Sequence, residues 1–345
     1  MEPTAFSNCP PLDGYHCVTN SLAKMFYFNI HPISEDMLLG LGAGLGFIYW
    51  KMKLGSDDYV FIGGRGNNKG FFEDVGRRTG VKIKEISTGS EKKAEEALIE
   101  ALKKKGPVML FGDMGLLPWF DFPVEYHFGG HTFVACGYDG FQTVLCSDMN
   151  QSASGLKKGF YYATSLEQLR RARGSKFKPF PPRNTRLEFD FTGFHQPDKD
   201  DLYSSIRQTI DSQLNPPIKN LGVKGMEHTA RELLKWPDYF DEHTLRMNLF
   251  SLYIFIEIGG TGGGCFRYMY SRFLNETYEL TENKKILKPS EQIRESGELF
   301  SEVGQLFKDS AFSDDLYYRI KKASNLFSSI AEIEQSAWIA LSNAI

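Results

Sequence analysis

The sequence predicts an α+β domain followed by a mainly helical region. Strand-like and helix-like patterns alternate up to about residue 180, whereas helical spacing dominates from Asp200 onward. In addition, Asp139-Gly140 joins two strand-like runs, which is typical of a tight antiparallel hairpin. We therefore expect an antiparallel sheet in the first half of the chain and two domains, spanning residues 1–180 and 181–345.

The individual elements of the first half follow from local patterns. Apolar residues at helical spacing predict a helix that starts near Cys17 and ends before His31-Pro32. The proline-rich, basic stretch 176–186 is interpreted as a linker or an edge segment. The other predicted elements are strands at 59–62, 81–86, 108–111, 132–138, 141–147, 159–163 and 187–191, and helices at 70–78, 94–102 and 165–173.

Length and composition exclude several functional classes. The 345 residues suffice for about two domains at roughly 150 residues each. The net charge of -3 lacks the basic excess expected of a nucleic-acid-binding protein. No apolar run is long enough for a membrane span, and the first residues resemble no secretory signal. We expect a cytoplasmic protein with no nucleic-acid or membrane partner.

The five cysteines are not spaced like a disulfide framework or a zinc site, so reduced thiols and no metal or cofactor are expected. Cys17 stands out because it falls in the first turn of the predicted helix. The N–H groups and dipole of a helix N-terminus favour a thiolate, and the same groups can bind an oxyanion. Cys9 is a weaker candidate, and Cys136 and Cys146 lie within strands as core thiols.

The predicted hairpin offers Cys17 a base and an acid that orients it. With a two-residue loop at Asp139-Gly140, His131 falls directly opposite Asp148 on the same face of the sheet. In a catalytic triad such a carboxylate fixes the imidazole tautomer and stabilises the imidazolium. A one-residue bulge would destroy this register. His127 is the alternative base, and the alternative to any triad is that these side chains are structural.

Two glycine-rich segments and an aromatic loop are further candidates for ligand binding. Segments 40–46 and 259–264 fail the spacing of nucleotide-binding loops, so we interpret both as tight turns or close backbone approaches. Arg267 follows the second segment and is a candidate substrate-binding residue. In the aromatic loop 115–130, Trp119 is a candidate wall of a substrate pocket, and the alternative is that this loop packs on the sheet.

Several segments together resemble the N-terminal domain of the butirosin biosynthesis protein H family. They are Gly14-Tyr-His-Cys17, residues 42–50, residues 128–139 around His131, and residues 165–173 with the prolines that follow. Residues 260–267 and 272–274 resemble an uncharacterised domain that commonly follows it. The similarity spans nearly the whole chain, and it is specific through the combination of motifs.

The resemblance implies a papain-like N-terminal domain and a cysteine-dependent acyltransferase of antibiotic-type biosynthesis. The namesake moves an acyl group from an acyl-carrier-protein thioester to the amine of an aminoglycoside. Carried over, Cys17 is the nucleophile, His131 the base and Asp148 the orienting acid. The implied partners are an acyl carrier protein or another thioester donor, and a small-molecule amine as acceptor. Papain-like relatives often place a Gln before the cysteine; none occurs here, and Asn8 is the candidate substitute.

Two other functions use the same fold. A papain-like peptidase or amidase would keep the triad and use water as the acceptor. A catalytically inactive binding or scaffold protein would leave Cys17 with ordinary thiol reactivity. We expect the helical second half to shape the acceptor pocket or an interface between copies of the chain.

Overall fold

The computed structural model describes residues 5–54, 57–122, 126–150, 155–310 and 312–345. The fold is α+β, with antiparallel sheets in the N-terminal part and a mainly helical C-terminal part, as the sequence predicts. The strands are β1 (Leu45–Leu54), β2 (Asp57–Arg65), β3 (Lys82–Ile86), β4 (Val108–Gly112), β5 (His131–Tyr138), β6 (Thr143–Met149), β7 (Gly159–Ser165) and β8 (Arg186–Asp190).

The predicted helices of the first half are present, α2 was not predicted, and most helices lie in the second half of the chain. No helix among the described residues is long and apolar enough to cross a bilayer. The helices are α1 (Cys17–Phe28), α2 (Glu35–Leu41), α3 (Phe71–Thr79), α4 (Glu91–Lys104), α5 (Leu166–Gly174), α6 (Lys199–Leu214), α7 (Gly222–Leu233), α8 (Trp236–Tyr239), α9 (Glu242–Tyr253), α10 (Arg267–Thr281), α11 (Leu287–Ser310) and α12 (Leu316–Ser342).

The chain forms two compact units, and each unit consists of two separate segments of the sequence. The first unit contains Met1–Leu38 and Thr79–His195, and the second contains Leu39–Arg78 and Gln196–Ile345. Domains of 1–180 and 181–345 stay a prediction. The compact units differ from that division because the segment carrying β1 and β2 belongs to the second unit. The proline-rich stretch 176–186 lies inside the first unit, so its prolines do not mark the boundary, and no local pattern reveals that Leu39–Arg78 belongs with the second unit.

The first unit is built on a six-stranded antiparallel sheet with strand order β3-β8-β4-β5-β6-β7. β8 lies between β3 and β4, so a strand that follows the proline-rich stretch completes this sheet. Helices α1, α4 and α5 pack against the central strands. A buried core combines side chains of α4, α5 and β4–β6: Leu98, Leu102, Val108, Leu110, Leu117, Phe133, Ala135, Val144, Cys146, Leu169 and Ala172. The sheet thus gives the residues on β5 and β6 a rigid support.

The second unit joins the β1–β2 ladder to the helices from α6 onward. Both glycine-rich segments have structural reasons to lack side chains. A Cβ on Gly40 would lie 2.2 Å from the Phe273 ring, and one on Gly42 would lie 2.1 Å from the Phe71 ring. In the second segment Gly263 has a φ of 82°, a conformation that favours glycine. The interpretation of both segments as turns and close approaches is confirmed.

Candidate active site

Cys17 is the first residue of α1, as its sequence context predicts. His16 is the N-cap of this helix, and its Nδ1 accepts a hydrogen bond of 3.4 Å from the N–H of Thr19. Cys17 is partly exposed, whereas Cys9, Cys136, Cys146 and Cys265 are buried. The N–H of Cys17 has no hydrogen-bond partner among the described residues. A thiol and an available N–H group therefore meet at the positive end of a helix, where anions are stabilised.

Glu35, at the start of α2, holds the segment that leads into Cys17. Its carboxylate accepts hydrogen bonds from the N–H of Tyr15 and of His16, each at 3.1 Å. It also accepts from Thr19 Oγ1 at 2.8 Å and from Asn20 Nδ2 at 3.1 Å. Burial raises the pKa of Glu35, and these donors oppose that shift. Sequence reasoning missed this residue, because an acidic side chain in a first helical turn resembles ordinary helix capping.

His131 and Asp148 form a buried hydrogen-bonded pair. Nε2 of His131 lies 2.7 Å from Oδ2 of Asp148, and the two residues are 1% and 2% exposed. The carboxylate has two further donors: the N–H of Met149 at 2.7 Å from Oδ1, and Nε1–H of Trp119 at 2.9 Å from Oδ2. The buried carboxyl group therefore has three hydrogen-bond partners, two on Oδ2 and one on Oδ1. Because Nε2 is bonded to Asp148, Nδ1 is the imidazole nitrogen left for another partner.

The hairpin brings this pair together by a register that differs from the prediction. The loop is longer than two residues, because Tyr138 pairs with Val144, and β5 carries a bulge between Ala135 and Gly137. Beyond the bulge Val134 pairs with Ser147, so His131 and Asp148 are diagonal rather than directly opposite neighbours. The longer loop and the bulge together shift the register by two residues, which preserves the face of each side chain. The prediction of direct pairing is wrong, and the predicted shared face is correct.

The side chains of Cys17 and His131 interact electrostatically, and each shifts the pKa of the other. Burial acts to raise the pKa of the Cys17 thiol, but the bond to His131 and its charge outweigh burial, so the pKa lies below its ordinary value of 9.0. Burial disfavours the imidazolium, yet Asp148 and Cys17 together raise the pKa of His131 to about 10. Both shifts act in the direction of a thiolate–imidazolium pair.

Trp119 lies beside the pair, in a position other than that of a simple pocket wall. Its indole stacks on Tyr162 with ring centroids 5.1 Å apart and contacts the edge of Phe133 at 5.5 Å, while its N–H donates to Asp148. Phe120 meets the imidazole of His131 in an edge-to-face contact at 5.2 Å. The aromatic loop therefore packs on the sheet and also supports the His131–Asp148 pair. Positions 123–125 of this loop lie outside the described residues.

The structure does not support His127 as the base or Asn8 as an oxyanion donor. Nδ1 of His127 lies 2.9 Å from Asp113, and its ring stacks on Phe177, so this histidine forms a pair of its own. Asn8 is exposed in a turn, and its side chain has no hydrogen bond to any described residue. Its role as an oxyanion donor stays a prediction that no contact supports.

The prediction that Arg267 binds substrate is corrected. This side chain is fully buried in the second unit and is bonded to Glu334 at 2.8 Å. It also donates to the carbonyl oxygens of Gly46 at 2.9 Å and Cys265 at 2.8 Å. An arginine with its donors engaged in this way stabilises the packing of its unit and has no free face for a ligand. Its place after a glycine-rich turn resembled a binding loop only in sequence.

In the part of the chain that the structure describes, no group of three or more His, Cys, Asp or Glu side chains is arranged to hold a metal ion. The chemistry that this site offers is that of a nucleophilic thiol with an adjacent base, an orienting carboxylate and a helix N-terminus.

Two family models match the chain. Residues 16–149 match the model described as Butirosin biosynthesis protein H, N-terminal, and residues 167–341 match Domain of unknown function (DUF4872). The first match contains Cys17, His131 and Asp148. No curated protein matches the chain significantly. The resemblance inferred from sequence motifs is confirmed over nearly the whole chain.

Proposed function

Because the chain belongs to the family in which a butirosin biosynthesis protein H N-terminal domain precedes the domain DUF4872, we propose that it is a cysteine-dependent acyltransferase. The acyl group comes from a thioester, carried by an acyl carrier protein or a similar donor, and goes to the amine of a small molecule. The observation that carries this proposal is that Cys17, at the N-terminus of α1, interacts electrostatically with the buried, hydrogen-bonded His131–Asp148 pair. That arrangement is the one that papain-like catalysis requires.

Acylation begins from the thiolate–imidazolium pair. The Cys17 thiolate attacks the thioester carbonyl, and the carbonyl oxygen becomes an oxyanion that faces the Cys17 N–H. The tetrahedral intermediate collapses with cleavage of the donor C–S bond. The departing thiolate takes the proton from His131 and leaves as a thiol. The products of this half-reaction are acylated Cys17 and neutral His131, which Asp148 keeps in the correct tautomer.

Deacylation regenerates the starting pair. The neutral amine of the acceptor attacks the acyl-Cys17 carbonyl while His131 accepts the proton that the amine loses. The second tetrahedral intermediate expels the Cys17 thiolate and releases an amide. The enzyme returns to thiolate and imidazolium, which is the state that the raised His131 pKa favours.

Hydrolysis differs from this reaction only in the acceptor, so the acceptor decides between the two functions. The test is a thioester turnover assay with acetyl-pantetheine as donor, with and without a panel of small primary amines that includes an aminoglycoside. We expect amide products that depend on the amine and disappear in Cys17→Ala. Equal release of free acid with and without any amine would establish a hydrolase instead.

A scaffold function predicts a different result in the same experiment. In that case neither acid nor amide forms faster than in buffer. In alkylation experiments the Cys17 thiol then also titrates in the range of an unperturbed thiol. Such a result would overturn the proposed function.

A further inference from the structure

A basic and aromatic segment of the first unit has no part in the reaction steps described above. Residues 168–187 contain seven Lys or Arg residues and no Asp or Glu, in a chain whose net charge is -3. Within this stretch, positions 176–180, with the sequence Lys-Phe-Lys-Pro-Phe, are all exposed. The rings of Phe177 and Phe180 belong to residues that are 49% and 52% exposed. Residues 176–183, here called the basic–aromatic segment, thus present positive charges and apolar rings on one short stretch of surface.

The charges of this segment are not neutralised by the part of the protein that the structure describes. Lys176, Lys178 and Arg183 are exposed and form no ion pair with a described residue. The flanking arginines differ, because Arg170 lies 3.9 Å from Glu95 and Arg186 lies 2.7 Å from Glu188. Unpaired surface cations create a positive potential that attracts an anionic partner. The exposed rings beside them can bury apolar area once such a partner is bound.

The basic–aromatic segment is fixed to the loop that precedes the proposed base. Oγ of Ser175 donates a hydrogen bond of 2.6 Å to Oδ2 of Asp113, and Oδ1 of Asp113 accepts one of 3.0 Å from the N–H of Phe128. The ring of Phe180 meets the ring of Phe128 edge to face, with centroids 5.6 Å apart. Phe128 precedes His131 by three residues, so their Cα atoms are at most about 11 Å apart. The segment therefore lies on the surface next to the site.

Charge and position together favour one kind of partner. In the proposed reaction the donor thioester is carried on the phosphopantetheine arm of a carrier protein. The phosphodiester that joins this arm to the carrier is an anion at neutral pH. The sulfur end of the arm must reach Cys17, while the phosphodiester and the carrier around it stay outside. A basic surface next to the site can bind that anionic end. A membrane or a nucleic acid would also be attracted by the charge, but neither accounts for the attachment of the segment beside His131.

We propose that the basic–aromatic segment is the docking surface for an acyl carrier protein, and that it binds the anionic face around the carrier's phosphodiester. The exposed cations attract the carrier, and the two phenylalanines are covered when it binds. Three prolines, Pro179, Pro181 and Pro182, restrict the backbone, so less conformational freedom is lost on docking. This inference rests on the proposed function, because a carrier is needed only if Cys17 accepts an acyl group from a thioester.

The test compares two donors that deliver the same acetyl group. One is the acyl carrier protein of bacterial fatty-acid synthesis, acetylated on its phosphopantetheine arm. The other is acetyl-pantetheine, which has the thioester end of the arm but neither the phosphate nor the protein. Intact mass spectrometry of the full chain gives the second-order rate constant of Cys17 acylation by each donor. Both are measured at about 0.05 M and about 0.5 M NaCl, since salt screens exposed charges.

Lys176→Glu/Lys178→Glu reverses two charges of the segment, and Lys103→Glu/Lys105→Glu is the matched control. The control has the same spacing and charge change, at two exposed lysines. Nζ of Lys103 lies 5.6 Å from the ring of Tyr138, which ends β5, whereas His131 begins it, so the two ends are about 20 Å apart. Thermal unfolding identifies any variant that does not fold, in which case the milder Lys→Gln pair replaces it.

We expect the wild type to be acylated faster by the carrier than by acetyl-pantetheine, and high salt to slow only the carrier reaction. Reversal of the two segment charges should slow acylation by the carrier about 10- to 100-fold, which is the range of electrostatic steering. Acylation by acetyl-pantetheine should be unchanged in this variant. The control variant should behave as the wild type with both donors.

Three outcomes overturn the inference and leave the proposed function intact. The first is a wild type that is acylated no faster by the carrier than by acetyl-pantetheine. The second is a charge reversal that slows both donors equally or neither. The third is wild-type sedimentation with phosphatidylglycerol vesicles that the reversal abolishes while carrier acylation is unchanged, which would assign the segment to a membrane surface. A wild type that forms no adduct with either donor overturns the proposed function, and the inference fails with it.

Discussion

The indole N–H of Trp119 donates a 2.9 Å hydrogen bond to Oδ2 of Asp148, the same oxygen that binds His131. Asp148 is thereby held between an aromatic side chain from the loop before β5 and the imidazole at the start of β5. The orientation of His131, the base of the proposed reaction, thus depends on a residue other than Cys17 and Asp148. Trp119 is a positioning residue, because it acts on His131 through Asp148.

Replacement of this tryptophan tests its positioning role. Trp119→Phe keeps an aromatic ring to stack on Tyr162 but removes the N–H donor. We expect the maximal rate of Cys17 acylation to fall about 10-fold, which corresponds to about 1.4 kcal/mol, since hydrogen bonds to charged groups contribute roughly that much or more. The half-saturating thioester concentration should stay the same. Trp50→Phe, at an exposed tryptophan of the second unit, is the control. If the half-saturating thioester concentration rises and the maximal rate of acylation is unchanged, Trp119 contacts the substrate as a pocket wall and does not position His131.

The pH dependence of acylation follows from the two pKa shifts. The Cys17 pKa is lowered from 9.0, so the thiolate is present and acylation proceeds below the range of an ordinary thiol. The His131 pKa is raised to about 10, so the proton needed by the leaving thiol is retained up to that pH and lost above it. We expect a plateau between these limits, measured as single-turnover acylation after subtraction of spontaneous thioester hydrolysis.

Asp148→Asn should shift the alkaline limit of that plateau to lower pH, because Asp148 is the main group that raises the His131 pKa. Its plateau rate should also fall, by about 100-fold or more, as expected when a triad loses its carboxylate. Asp139→Asn, in the exposed hairpin turn, is the control, since an Asn oxygen can still accept the turn's N–H bonds. An unchanged alkaline limit in Asp148→Asn would contradict the assignment of Asp148.

Thiol labelling should distinguish Cys17 from the other cysteines. Burial raises the pKa of Cys146 and raises that of Cys265 to about 12, and Cys9 and Cys136 are also buried. At neutral pH we expect iodoacetamide to label Cys17 alone in the native protein and every cysteine after denaturation. Peptide mapping of the labelled protein identifies the site. Faster labelling of any buried cysteine would be inconsistent with the proposed nucleophile.

The Arg267–Glu334 pair should matter for stability and not for catalysis. Both side chains are fully buried in the second unit, and Ser296 donates a further bond of 2.5 Å to Glu334. Arg267→Met leaves an unpaired buried carboxylate and should reduce the free energy of unfolding by about 3–5 kcal/mol. The double variant Arg267→Met/Glu334→Leu should recover part of this loss. Urea unfolding measures both, and an unchanged urea midpoint in the single variant would refute the structural role.

The sequence was most informative where a single local element decides the geometry. A thiol in the first turn of α1 follows from helical spacing around Cys17, and the shared face of His131 and Asp148 follows from strand alternation. The exact pairing was missed because loop length and bulges depend on side chains such as Asp139, whose Oδ1 accepts three N–H bonds within the turn. The alternation of apolar and polar residues along the strands does not predict these turn hydrogen bonds.

Contacts between distant segments could not be predicted from local patterns. Glu35 resembles a capping residue. Its place beside the segment that leads into Cys17 arises from the way the segments around residues 14 and 35 meet. For Arg267 the local pattern was misleading. An arginine that follows a glycine-rich turn resembles a ligand-binding residue, but this one forms a buried ion pair with Glu334.

The most direct measurement of the central claim is intact mass spectrometry of the protein after incubation with an acetyl thioester. If Cys17 is the acyl-accepting nucleophile, the wild type gains one acetyl group that maps to Cys17. The Cys17→Ala protein, folded by the same thermal-unfolding criterion, then gains none and turns over no thioester. An equal adduct or equal turnover in Cys17→Ala would contradict the account.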